Sequence, residues 1–252
     1  MAPLPLEVPS SPLRTVRPDR VTILCCLIVL AVDALLFLAY ATHLRADDGG
    51  AVALFSSQRW DGDTDRSIPE LLGHIQLALA GFFLLSLVAL HRRRSGQLRP
   101  SLVYAAWTAI LAAITLDDFL MIHERVGGFL ADALGLPAVA GLRPVDLGEL
   151  LVWGGVAVPL GIALLLAHRV GAPGARAGSR LFMILAGILV LFGVGIDMVH
   201  VMTTTVFDAP VRQFLTFLET GGELVSMSLM LVCSIHLRRI YPTSVTGQPL
   251  PG

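Results

Sequence analysis

Three carboxylates and an imidazole, Asp117, Asp118, His123 and Glu124, close an apolar run that begins near Ser101. Ionisable groups inside a bilayer are costly and rare, so an embedded cluster of this kind points to function. Matching groups recur on other apolar runs: Glu70 with His74, Asp197 with His200, and Glu219 with Glu223. A spacing of three or four residues puts each pair on one helix face. Asp117 and Glu124, seven apart, return to one face within about 20°. His123 falls on a neighbouring face unless the helix loosens there. Gly221-Gly222 sits between the two glutamates and lets another backbone approach closely.

The charges do not balance. Asp33, Asp117, Asp118, Glu124, Glu149, Asp197, Glu219 and Glu223 are answered only by His74, His123 and His200, with Arg125 and Arg212 near the rim. That many anions cannot all stay ionised in a partly dry cavity. Shared protons or bound cations must compensate them. Carboxylates and imidazoles at helical spacing are the ligand set with which helix bundles hold one or two divalent metals. Zinc, iron or manganese fits this set. The expected ligands are Asp117, His123, Glu124, Asp197, His200 and Glu223. Glu219 or Asp118 would act as acid or base, with His74, Glu149 and Asp33 supporting from behind. Cys25, Cys26 and Cys233 lie in apolar runs without CxxC spacing, which argues against a disulfide framework, copper(I) or an iron–sulfur cluster.

Plainer roles compete at several positions. Glu70 and Glu149 fit as capping-box partners, Asp118 as an interface residue, and Glu219 as a partner of Arg212. Asp117, Asp197, His200 and Glu223 could form a hydrogen-bonded network between helices. His43, His91, His168 and His236 read as interfacial. Met121, Met183, Met198, Met202, Met227 and Met230 read as core filler. Asp61-Gly62-Asp63-Thr64-Asp65 imitates a calcium loop, but Arg66 and Leu72 stand where glycine and glutamate are needed.

The elements that must position these groups are transmembrane helices. Of the 252 residues, 55% are hydrophobic and 15% charged, with a mean hydropathy of +0.75, too apolar for an ordinary soluble domain. All 18 basic residues are arginine, which reads as GC-rich codon usage and a bacterial source. Six runs predict spans at about 21–41, 71–90, 101–125, 146–168, 181–203 and 210–239. Each has about 20 residues or more, enough for about 30 Å of hydrocarbon. Asp33 and a long apolar core argue against the first run being a cleaved signal peptide. Residues 1–20 and 240–252 read as disordered cytoplasmic tails. The segments 127–145 and 171–180 read as Gly-rich and Gly/Pro/Arg-rich connections. Arginine is concentrated in the N-terminal tail, the 91–100 loop, the 168–180 linker and the C-terminus. The intervening loops are acidic or nearly neutral. This bias predicts a six-helix, all-α polytopic membrane protein of the plasma membrane, with both termini cytoplasmic and the acidic site facing outward.

Asp117-Asp118-x4-His123-Glu124 on one helix and Asp197-x2-His200 on a later one resemble, in their logic, the zinc-dependent membrane hydrolase superfamily that includes the alkaline ceramidases. That resemblance implies embedded Asp and His around a metal in a seven-helix fold. This chain departs from it, with six predicted helices, Glu219-x3-Glu223 in place of a paired-histidine motif, and no matching serine–histidine element. No residue role is carried across.

Three functions remain. One is a metal-dependent hydrolase of a lipid or lipid-linked substrate. The second is a transporter of protons or divalent cations, against which the near absence of acids in the inner half argues. The third is a non-catalytic sensor or assembly protein. Nucleic-acid binding has no support, because the arginine clusters are topology signals. For the topology, alkaline phosphatase fused after Pro137 is expected to be active, and inactive after Gln97 or Gly252. The opposite pattern would invert the predicted orientation.

Overall fold

Backbone groups in hydrocarbon find no water, so a long apolar run satisfies them only by closing its own helical hydrogen bonds. The computed structural model describes residues 18–45, 53–62, 64, 66–203 and 208–246. It is all-helical, with no strand among the described residues. Helices α1 (Arg20–His43), α2 (Ile68–Ser95), α3 (Leu102–Leu120), α4 (Ile122–Leu134), α5 (Pro144–Val170), α6 (Pro173–Val190), α7 (Asp197–Thr203) and α8 (Ala209–Thr246) follow in order. A π-helical turn, Leu191–Ile196, joins α6 to α7. Six stretches are long and apolar enough to cross a membrane: Arg20–His43, Ile68–Ser95, Arg99–Leu120, Pro144–Val170, Pro173–Thr203 and Pro210–Ile240.

Several boundaries differ from the sequence reading. The third helix does not run unbroken to residue 125, because Met121 takes a left-handed conformation and ends it. The Gly-rich stretch expected to be loop from residue 127 is helical as far as Leu134, the end of the 13-residue α4. The linker expected at 171–180 is helical from Pro173, which occupies the first turn where its missing N–H costs nothing. The fourth span opens at Pro144, so its capping box is Arg143 with Asp146 and does not pair Asp146 with Glu149. At α2 the box is shifted by one. Ser67 accepts from the Glu70 N–H at 3.4 Å, while the Glu70 carboxylate accepts from the Arg66 N–H. Helix α8 continues to Thr246, past residue 239. Asp47, Asp48, Asp63, Asp65 and the tails at 1–17 and 247–252 lie outside the described residues.

Helices α2 and α8 form the centre. Leu77, Leu84 and Leu87 of α2 and Met230 of α8 are fully buried, with Trp107 and Leu111 of α3 and Phe182 of α6 packed around them. Between apolar spans such contacts hold by van der Waals packing, since lipid tails are as apolar as leucine. Met227 and Met230 are core residues, but Met202 is exposed. The histidines expected at the interface have specific partners. His168 Nδ1 lies 3.2 Å from Ser179 Oγ, which also accepts from Trp107 Nε1 at 2.9 Å. His43 Nδ1 lies 2.7 Å from the Phe55 carbonyl.

Helix α1 is a peripheral span. Leu24, Leu27, Ile28, Leu35 and Leu38 are exposed, a face suited to lipid. It is pinned by polar contacts. Tyr40 stacks on Phe217 with ring centroids 5.6 Å apart. Thr22 Oγ1 lies 3.0 Å from His236 Nδ1. Asp19 caps the helix by accepting from the Thr22 N–H at 2.8 Å and takes Arg239 Nη2 at 3.0 Å. The Thr22 hydrogen bonds, with Arg239 assisting, lower the Asp19 pKa from 3.8 to about 2. A carboxyl depressed by folding stabilises the folded state above its unfolded pKa and ceases to as pH falls through the folded one. Asp19→Ala is therefore expected to cost about 1 kcal/mol near neutrality. In thermal melts of the detergent-solubilised protein, that deficit should shrink between pH 3.8 and about 2. A deficit unchanged over that window would show that the charge does not matter.

Candidate metal centre

The Met121 break creates the site. Its backbone sits at φ 52° and ψ 45°, a conformation costing a non-glycine residue roughly 1–2 kcal/mol. Strain of this kind clusters at functional sites. The turn lets the chain fold back on the end of α3. Asp117 Oδ1 accepts from the His123 N–H at 2.9 Å, and Asp117 Oδ2 lies 2.7 Å from His123 Nδ1. The side chain expected to miss the shared face thus reaches it, because the helix does loosen between Asp118 and His123. When Nδ1 carries the hydrogen for Asp117, the imidazole keeps its lone pair on Nε2. Asp117, Asp118 and His123 each offer a ligand atom within 4.8 Å of the others. Among the described residues no other group of three or more His, Cys, Asp or Glu is as close. The Trp153 ring of α5 lies against His123, with centroids 5.8 Å apart.

Neighbouring elements extend the cluster. From α2, His74 Nε2 lies 3.3 Å from Asp118 Oδ2, and its Nδ1 lies 4.0 Å from Glu70 Oε1. His74 is 6% exposed, so this contact is shielded from solvent. From α8, Glu223 lies within electrostatic reach of Asp118, Asp197, Glu70 and His74. Its carboxylate rests against Gly193 in the π-helical turn, where any side chain would collide with it. Wide turns of this type are frequent at functional sites. The same turn leads into Asp197 and His200, and His200 Nδ1 lies 3.7 Å from Glu219 Oε2. Glu124, Asp197, His200 and Glu223 are outside the compact group of three. Asp33 is bound elsewhere, to Gln76 and Ser228.

Glu149 joins through an unusually close helix crossing. Gly127 of α4 and Gly148 of α5 meet backbone to backbone, and a Cβ on Gly127 would lie 2.7 Å from the Glu149 nitrogen. Glu149 is thereby held within electrostatic reach of His123 and Glu124. Behind it, Asp146 is 1% exposed and accepts from Arg143 Nη2 at 2.6 Å. Arg143 also feels Glu149 and Asp197, so it is a cation that the charge balance drawn from sequence omits. The capping box that holds it is legible only once the helix start is placed at Pro144.

The Gly127–Gly148 contact makes a specific demand on the sequence. Gly148→Ala would drive its methyl group into the Gly127 carbonyl. The expected loss is about 1–3 kcal/mol, with His123 moved relative to Glu149. Urea or thermal unfolding of the purified variant measures the loss, and a Gly148→Ala protein as stable as the parent would disprove the tight crossing. No curated protein and no solved structure matches the chain. Its relationship is set by a family model covering residues 21–237, more than half its length, and the chain belongs to the family described as Domain of unknown function (DUF8692).

Proposed function

We propose that this protein is a multi-pass plasma-membrane metalloenzyme that hydrolyses a lipid or lipid-linked substrate at its extracytoplasmic face. The observation that carries the reading is the convergence of Asp117, Asp118 and His123 within 4.8 Å across a strained turn. Two anionic carboxylates and one imidazole are a hard, borderline-soft donor set that suits zinc, manganese or iron(II). Three protein ligands leave positions for water and substrate. A bound ion would neutralise the excess of carboxylates around it and lower the pKa of its water toward neutrality.

The surrounding groups have matching tasks in this reading. His74 orients Asp118. Glu223 lies within electrostatic reach of Asp118 and Asp197, His200 pairs with Glu219, and none of these joins the group of three ligands. Glu219, paired with His200, is the candidate general base. The site sits at helix ends, the depth at which a lipid presents its headgroup linkage.

Cation or proton transport is the second reading. It is favoured by three imidazole–carboxylate contacts, His123–Asp117, His74–Asp118 and His200–Glu219, which could pass protons.

Elemental analysis of the protein purified without chelator and loaded with zinc, manganese or iron(II) should find one or two ions per chain. Asp117→Ala or His123→Ala should reduce this to background. His74→Ala should weaken metal affinity about 10–100-fold without abolishing it. Metal-dependent cleavage of native lipid, followed by mass spectrometry, should be lost with the ion. Loaded wild-type protein without stoichiometric metal would end the proposal. Ion flux into liposomes without lipid turnover would favour transport.

A further inference from the structure

Asp33 of α1, Gln76 of α2 and Ser228 of α8 meet inside the bundle, at 1%, 3% and 0% exposure. Gln76 Nε2 lies 3.3 Å from Asp33 Oδ1. Ser228 Oγ lies 2.6 Å from Asp33 Oδ2 and 3.0 Å from Gln76 Oε1. The three contacts close a ring, and each needs one hydrogen between its two heavy atoms.

Counting hydrogens decides what the ring contains. The serine hydroxyl supplies one. The glutamine amide carries hydrogens at one end only, so it supplies one contact and accepts at the other. Exchanging its nitrogen and oxygen moves the donor to a different contact but leaves the count unchanged. The third hydrogen must come from Asp33. With an ionised carboxylate, one of the three contacts would press two acceptor oxygens together with no hydrogen between them.

Position gives the same answer independently. Asp33 lies 13 residues after Arg20 and ten before His43, roughly 20 Å and 15 Å along the helix. That is the middle of about 30 Å of hydrocarbon. Its polar neighbours among the described residues are Gln76 and Ser228, neither of them charged. A bare carboxylate at this depth would carry its full desolvation cost.

We infer that Asp33 is a proton-binding site in the middle of the membrane. Its carboxylic acid donates to Ser228, Ser228 donates to Gln76, and the Gln76 amide returns to Asp33. The bound proton completes the only polar ring joining α1 to both α2 and α8 among the hydrogen bonds described. It is separate from the metal centre and does not depend on that reading.

Infrared spectroscopy of the full-length protein in nanodiscs tests this. The difference spectrum of wild type minus Asp33→Asn should contain a protonated-carboxyl C=O band that shifts in D2O. Ser228→Ala should move that band by removing the acceptor of its hydrogen. Asparagine can replace the acid in the ring, donating to Ser228 and accepting from Gln76. Asp33→Asn should therefore keep its Tm and its metal content. Asp33→Ala should lower Tm by roughly 2–4 °C or more. A carboxylate signature in place of the C=O band, or an Asp33→Asn protein as unstable as the Asp33→Ala protein, would overturn the inference. The infrared comparison stands even if the alanine variant does not fold.

Discussion

A buried ionisable side chain must have its charge answered or removed, and much of this structure is arranged around that requirement. Several of the acids are handled by one of a few devices. Asp146 takes an arginine fork from Arg143, itself the residue that begins the helix. Asp117 takes a backbone N–H and an imidazole from the segment that follows it. Asp118 takes His74 from another span. Glu219 takes His200. Asp33 meets the neutral Gln76 and Ser228 in a closed ring of hydrogen bonds. The helices are placed so that these partners arrive, and the apolar packing of α2, α3, α6 and α8 supplies the rigidity that holds them there.

The two ends of the bundle use this requirement differently. At the arginine-rich end, charges form simple tethers. Arg239 holds Asp19, Arg238 Nε donates to Ser86 Oγ at 3.0 Å, and the Ala172 N–H donates to the Pro100 carbonyl at 3.2 Å. These contacts fasten loops and termini. At the opposite end the acids outnumber the cations, imidazoles join the Arg143 guanidinium as partners, and the backbone itself is irregular at Met121 and at Leu191–Ile196. Surplus negative charge, titratable partners and local strain in one region are the combination expected of a site that binds something positive.

The spans are legible in sequence because their signal is long and redundant: a run of twenty apolar residues survives any single exception. The ends of the spans are less so. Gly127-Gly128 argues locally for a loop, yet α4 passes through it because a helix without side chains there can lie directly on Gly148. Tertiary contact overrides propensity. Pro173 sits in a stretch with the composition of a linker, although proline is favoured in a first helical turn. At the site, i,i+3 and i,i+4 pairs locate the acids and histidines, since helical spacing is a local property. Pairing between spans is not a local property and leaves no such signal. Gln76 and Ser228 are neutral and inconspicuous in sequence, and they lie 43 and 195 residues from Asp33. His123 looks misplaced only while α3 is taken as unbroken, and nothing about methionine at position 121 announces a left-handed turn.

The π-helical turn sets the bearing of the residues that follow it. Six residues from Leu191 to Ile196 are wound more widely than an α-helix allows. Removing one residue would restore a uniform helix from Pro173 onward, and it would also swing Asp197 and His200 about 100° around the axis, the angle between neighbours at 3.6 per turn. The width of one turn thus fixes the direction in which both side chains leave the span.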